Sequence, residues 1–208
     1  MIGRVSDSGA NEIPIFELGL AIVPGERVPL HIFEQRYRLM MAHCLEGDEP
    51  FGIVLRDDGG ARSIGCSAEI TEVTERHEDG RMDIVVTGAE PFSVLDRFEA
   101  PDWPAASIAA LDTDWPSEDC AEELGAARAA FAEEAALSAY AIAAQVEMPP
   151  AEKQSLLEAP GERERLTSLE ATLRRLLAGV SKSRELGERA KTNGHAPGRI
   201  GPIQGPGE

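Results

Sequence analysis

At 208 residues, with 42% hydrophobic and 27% charged side chains, the chain has globular rather than disordered proportions and suits one ordinary domain or a small domain with an appendage. A net charge of −17 repels nucleic-acid phosphates and anionic lipid headgroups, and so argues against both as partners. Three cysteines, Cys44, Cys66 and Cys120, with no C-x-x-C spacing, argue against a disulfide framework and a zinc site.

The opening, MIGRVSDSGANE, has neither a basic nor an apolar signal region, and residues 1–11 read as a polar leader. No apolar run approaches membrane-spanning length, so the expectation is a cytoplasmic protein. Residues 12–112 carry short β-type runs. Ile13 to Phe16 and Leu20 to Val23 flank Gly19 and end at the Pro24-Gly25 turn signal. Arg27 to Ile32 is a further extended segment. From Glu34 to about Leu45 a helix is predicted, because Tyr37, Met40/Met41 and Cys44 fall on one stripe, with Gly47 as its stop.

Phe51 to Arg56 reads as a strand closed by Asp57-Asp58-Gly59-Gly60. Residues 68–76 and 81–90 flank His77-Glu78-Asp79-Gly80, a hairpin loop. Met82, Ile84 and Val86 alternate with Arg81, Asp83 and Thr87, the pattern of a half-buried strand. Phe92 and Val94 continue the alternation beyond Gly88 and Pro91, and Ser107 to Leu111 adds an edge strand. Many short strands with one inserted helix predict a small sheet closing toward a barrel.

Residues 113–180 read as a helical subdomain. Ser117 is a fitting N-cap, Leu124, Phe131, Ala135, Ile142 and Val146 share a face, and Pro149-Pro150 ends the run. A short helix covers Ala151 to Glu158. Leu166, Leu169, Leu173, Leu176/Leu177 and Val180 form a last stripe from about Gly161 to Gly179. Residues 181–208, rich in Gly and Pro from Asn193 on, are expected to be a disordered tail. Its bases form no cluster.

Catalytic signatures are lacking. No phosphate-cradling G-x-x-x-x-G-K-[ST], no G-x-G-x-x-G, no G-x-S-x-G and no H-E-x-x-H occurs. His31, His43, His77 and His195 lie in different local contexts, none with a partner at helical ligand spacing. His43 and Cys44 are neighbours on a helix and point about 100° apart, so they are a poor nucleophile pair. No catalytic residue, cofactor or metal site is therefore expected.

The most distinctive stretch runs from Pro24 to Met41. It resembles the signature of the Lon protease N-terminal domain, a P-G turn followed by P-L-x-I-F-E-x-R-Y, and matches it at Pro29, Leu30, Ile32, Phe33, Glu34, Arg36, Tyr37 and Met40/Met41. Ile13 to Leu18 resembles the family's opening L-P-L-F-x-L strand, and Phe51 to Leu55 its F-G-V-V-L strand. Ile64 to Ile70 resembles V-G-T-x-A-x-I, and Asp79 to Ile84 resembles D-G-R-x-x-I. Gly88 to Phe92 resembles G-x-x-R-F, with Pro91 in place of Arg. Lys153 to Glu158 and Glu164 to Leu166 echo the helical K-Q-x-L-L-E and E-R-L. The pieces keep the family's order over about residues 12–178.

The resemblance implies an α+β fold: a PUA-like β pseudo-barrel with one inserted helix, followed by a C-terminal helical subdomain. It implies a non-catalytic protein- or peptide-binding module for protein quality control, here without the ATPase and protease domains that follow it in Lon. The implied partners are unfolded proteins or peptides, and a protease or chaperone acting with them. Pro29, His31, Phe33, Glu34, Arg36 and Tyr37 are then the peptide-binding residues; the plainer alternative is that they only hold the helix against the barrel. A small enzyme of unknown type and an RNA-binding PUA-like protein remain open as functions, the charge opposing the second. Homo-oligomerisation through the Leu166–Val180 stripe remains open beside its burial within the chain.

Overall fold

In a computed structural model of the chain, which describes residues 11–111 and 138–193, one long strand organises the sheet. The strands are β1 (Asn11–Leu18), β2 (Arg27–Ile32), β3 (Phe51–Asp57), β4 (Gly60–Ala61), β5 (Ile64–Arg76), β6 (Met82–Glu99) and β7 (Pro104–Ala110). Strand β6 pairs with β5 along much of its length, with β2 beside its first half and with β7 beside its second. Strand β7 pairs with β1, β1 runs parallel to β3, and β3 returns to β5. The ladder β1–β7–β6–β5–β3–β1 thus closes on itself, the expected pseudo-barrel, which hides strand edges that would otherwise invite foreign pairing.

The sequence period explains the closure. Met82, Ile84 and Val86 of β6 point to the core while Asp83, Val85 and Thr87 face outward, as the alternation predicts. Ile15, Val54, Phe92 and Ala106, from four strands of the ring, form a shared buried cluster. Helix α1 (Gln35–Gly47) is inserted between β2 and β3 and buries the predicted stripe, Tyr37, Met40, Met41 and Cys44. It ends at Asp48, which takes the left-handed conformation (φ 51°), so the stop lies one residue beyond Gly47.

One expectation for this region changes. The strand expected over Ser107 to Leu111 is not an edge: its residues through Ala110 belong to β7, which lies between β1 and β6. Its Ala-rich sequence carries little β-propensity, so its place comes from neighbours on both sides. The alternating run that continues past Pro91 lies within the single strand β6, where Pro91 falls beside an irregularity in the β5–β6 register and Ser67 Oγ accepts from Glu90 N (3.0 Å).

A tight backbone approach fixes where β2 meets β6. Gly25 N donates to Gly88 O (2.8 Å), and Gly88 N donates to Glu26 O (2.9 Å). A Cβ on Gly88 would stand 2.3 Å from the carbonyl oxygen of Val23. Glu26, buried in the same turn, accepts from Val23 N (3.2 Å) and forms an ion pair with Lys153.

The helical part begins with α2 (Ala139–Ala143), α3 (Pro150–Glu158) and α4 (Glu162–Asn193). The helix expected from Ser117 to Val146 is not continuous. Its portion before residue 138 lies outside the described residues; Ser138 is extended and starts α2 afresh, its Oγ accepting from Ala141 N (3.2 Å). Glu162 opens α4 and is 3% exposed. It accepts from Ala139 N (2.6 Å) and from Arg165 Nε (2.9 Å), while Arg165 lies over the Tyr140 ring.

Residues from Ala171 onward form a separate compact unit. There α4 continues through Asn193, so the tail expected from residue 181 is helical in its first part; Glu, Lys, Arg, Leu and Ala in that segment are good helix formers. The leader before residue 11 and the segment from 194 on lie outside the described residues. Leu177 departs from its predicted stripe and is 60% exposed. No helix among the described residues is long and apolar enough to cross a membrane.

Two substitutions test these contacts. Gly88→Ala should lower unfolding free energy by about 1–3 kcal/mol in urea titration, because backbone must move to admit the methyl. Gly19→Ala, with nothing within 4 Å of the added carbon, should change it little. Glu162→Ala strips a buried guanidinium of its carboxylate, and should cost about 3–5 kcal/mol in the same measurement.

Candidate functional site

The Pro29–Tyr37 stretch divides into two environments. Glu34 is the N-cap residue of α1, but its side chain caps no backbone group; it pairs with Arg36 Nε at 3.2 Å. Tyr37 is buried against β1, its ring 4.2 Å from that of Phe16. Burial pushes its phenol up from the ordinary value. Arg36 lies exposed over the Tyr37 ring, 4.5 Å from the centroid, which holds the guanidinium in place.

Arg36 and Tyr37 form one wall of a cleft of about 480 Å³. Glu17 of β1, Arg56 of β3, and Arg97 and Glu99 of β6 line the remainder with Phe98 and Pro104. Glu17 organises the charges. Its Oε2 accepts from Arg56 Nε (2.8 Å) and its Oε1 from Arg97 Nε (3.2 Å). Arg97 also donates to the carbonyl oxygen of Arg62. The parallel β1–β3 pairing places Glu17 opposite Val54, and so close to Arg56 two residues along the same face. The cleft lining thus carries three guanidinium groups and two carboxylates, with Glu34 beside it on Arg36 as a third, so the charges are matched locally in a chain of net charge −17. Guanidinium N–H groups suit carbonyl and carboxylate oxygens.

The other environment is the outer face of β2. Pro29, His31 and Phe33 are exposed there, and the rings of His31 and Phe33 stack at 6.0 Å. Asp83 of β6 stands in register opposite His31 on one side and Glu75 of β5 on the other. Asp83 Oδ1 meets His31 Nδ1 at 2.6 Å, and Oδ2 meets His77 Nε2 at 3.0 Å. These bonds from His31 and His77 hold the Asp83 carboxyl below its ordinary value. Sequence spacing does not reveal this trio: His77 and Asp83 face each other across the hairpin, but His31 is 52 residues from Asp83 and joins them only through the β2–β6 register. The alternation of Asp83 with Met82 and Ile84 was the available signal that it faces outward.

Cys44 and Cys66 are inert by position. Cys44 is 2% exposed, and burial pushes its thiol up to about 12. His43 turns elsewhere: its ring stacks on Trp103 (4.8 Å) and pairs with Glu49 (3.4 Å). Cys66 is fully buried, and desolvation raises its thiol as well. In a Cys120→Ser chain, native protein at pH 8 should react with Ellman's reagent much more slowly than protein in denaturant. The stabilisation from the neutral Cys44 thiol is present below its ordinary value of 9.0 and is lost as pH rises toward about 12.

Comparison with known proteins agrees with this architecture. Residues 12–135 match the family model of the ATP-dependent protease La (LON) substrate-binding domain. The fold is similar to a Lon N-terminal domain protein from Xanthomonas campestris, at 20% identity and a TM-score of 0.60, over 77% of this chain and 97% of that one. It is also similar to the N-terminal domain of Mycobacterium avium complex Lon protease, at 18% identity and a TM-score of 0.61, over 76% and 95% of the two chains. Among curated proteins, Xenopus tropicalis cereblon is 27% identical over 95 residues, 43% of this chain and 21% of cereblon; the match thus spans about a fifth of that relative. With more than half of its length matching the family model, the chain belongs to the Lon substrate-binding domain family.

Proposed function

We propose that the chain is a non-catalytic module that binds extended segments of other proteins in the cleft walled by Arg36 and Tyr37, and that acts with a protease or chaperone partner. The set of guanidinium donors held in place around that cleft carries the proposal. A client in extended form presents a carbonyl at every residue, and the guanidinium groups supply donors held in place by Glu17 and by the Tyr37 ring. The arrangement suits clients carrying carboxylates, since like charge elsewhere on the acidic surface keeps them from binding at random. Of the signature residues, Arg36 and Tyr37 line this cleft and Glu34 braces Arg36; Pro29, His31 and Phe33 offer a neighbouring outward face. Packing also claims part of the signature, because Tyr37 is buried.

Fluorescence anisotropy with reduced, alkylated model proteins and acidic peptides should show binding at about tens of micromolar, a free energy of roughly −6 kcal/mol. Arg36→Ala combined with Arg56→Ala should weaken it about tenfold or more, equal to about 1.4 kcal/mol, without shifting the melting temperature greatly. Absence of binding in the wild-type chain, or equal binding by the double variant, would count against the cleft.

A further inference from the structure

We propose that His31, His77 and Asp83 form a site for a divalent transition-metal ion of the zinc class on the outer face of the barrel. The side chains converge from three places: His31 from β2, Asp83 from the start of β6, and His77 from the β5–β6 hairpin. One ligand atom from each lies within 4.8 Å of the other two. Around a tetrahedral zinc with bonds of about 2.0–2.1 Å, ligand atoms stand roughly 3.3 Å apart. The Asp83–His31 and Asp83–His77 separations of 2.6 and 3.0 Å, one to each carboxylate oxygen, are both somewhat shorter than that, so side-chain rotations that open the trio slightly admit the ion.

The surroundings support ligation. Glu75 Oε1 lies 3.6 Å from His77 Nδ1, on the far side of the ring from the Nε2 that faces Asp83. A carboxylate behind the distal nitrogen is the arrangement that orients metal-binding imidazoles. His31 is held by its stack on Phe33. The hairpin backbone is tight: Gly80 N donates to His77 O (3.0 Å), and His77 N donates to Arg81 O (2.9 Å). Gly80 takes φ 85°, which a glycine accepts without strain. Imidazole with carboxylate suits zinc and its neighbours rather than calcium or magnesium, which prefer oxygen alone. All three side chains remain between a quarter and a half exposed, so an ion has access. Three protein ligands leave a fourth position for water or a client side chain. The site shares no residue with the lining of the Arg36–Tyr37 cleft and stands independently of peptide binding there.

The test is calorimetric titration of zinc into the full chain, without an affinity tag. About one zinc per chain is expected. Loss of a ligand in His31→Ala or His77→Ala should weaken binding more than about 100-fold, whereas Glu75→Gln, one shell out, should cost about 10-fold. His43→Ala and His195→Ala should leave binding unchanged. Because the His31–Asp83 bond also ties β2 to β6, the wild-type chain provides a second readout that needs no variant: zinc should shift the ring NMR signals of His31 and His77 and spare that of His43. Wild-type affinity in both His31 and His77 variants, ring shifts confined to other histidines, or no heat at about a hundred micromolar zinc would each overturn the site.

Discussion

The backbone clamp at Gly88 is the constraint on which the rest of the β structure depends. Two hydrogen bonds and a carbonyl packed where a Cβ would stand lock the Pro24–Glu26 turn onto β6. Once that turn is seated, β2 leaves it in a single register, from Arg27 opposite Thr87 to Ile32 opposite Met82. A slip of one residue would send Leu30 and Ile32 into solvent and His31 into the core. The clamp therefore aligns His31 with Asp83, and it aims the chain into α1 so that Tyr37 meets Phe16. Glu26 extends the same point of attachment into the helical part through Lys153.

Charge is distributed to match. In a chain of net charge −17, the ring brings Arg36, Arg56 and Arg97 together around Glu17. Each guanidinium is held by a specific contact, to a carboxylate, a carbonyl or a ring. Prior placement lowers the side-chain entropy that ordering a free arginine against a ligand would cost. The outer His31–His77–Asp83 trio uses a different device. There, strand register brings His31 to Asp83, the β5–β6 hairpin supplies His77, and one half-buried carboxylate bonds both imidazoles.

Motif residues in this chain do more than one job. Within the K-Q-x-L-L-E echo, Lys153 pairs with buried Glu26, Gln154 donates to the carbonyl of Ile64 (3.1 Å), and Leu156 and Leu157 are buried. That motif is architectural: it docks α3 on the barrel. The Pro29–Tyr37 signature is mixed. Leu30, Ile32 and Tyr37 pack, while Pro29, His31, Phe33 and Arg36 stay at the surface. Exposure of this kind, in a segment whose partners are rigid strands, is why the signature supplies the candidate site.

Hydrophobic period and turn chemistry determined the elements from the sequence alone. The α1 stripe, the β5–β6 hairpin, the β2 strand and the short α3 helix are all legible there, because each rests on contacts within a few residues. The ordered series of family-like segments also determined the pseudo-barrel. What only the tertiary structure decided involves distant partners. Strand β7 is central because β1 and β6 reach it from far along the chain; its own alanines carry no such instruction. The start of α2 at Ser138 is fixed in part by Glu162, whose carboxylate accepts from Ala139 N across the chain. Arg56 and Arg97 join Arg36, and His77 joins His31, only after the ring has closed. Side-chain period identifies the face on which a residue lies, but the register between strands decides which residue stands opposite it, and that register is set by the fold as a whole.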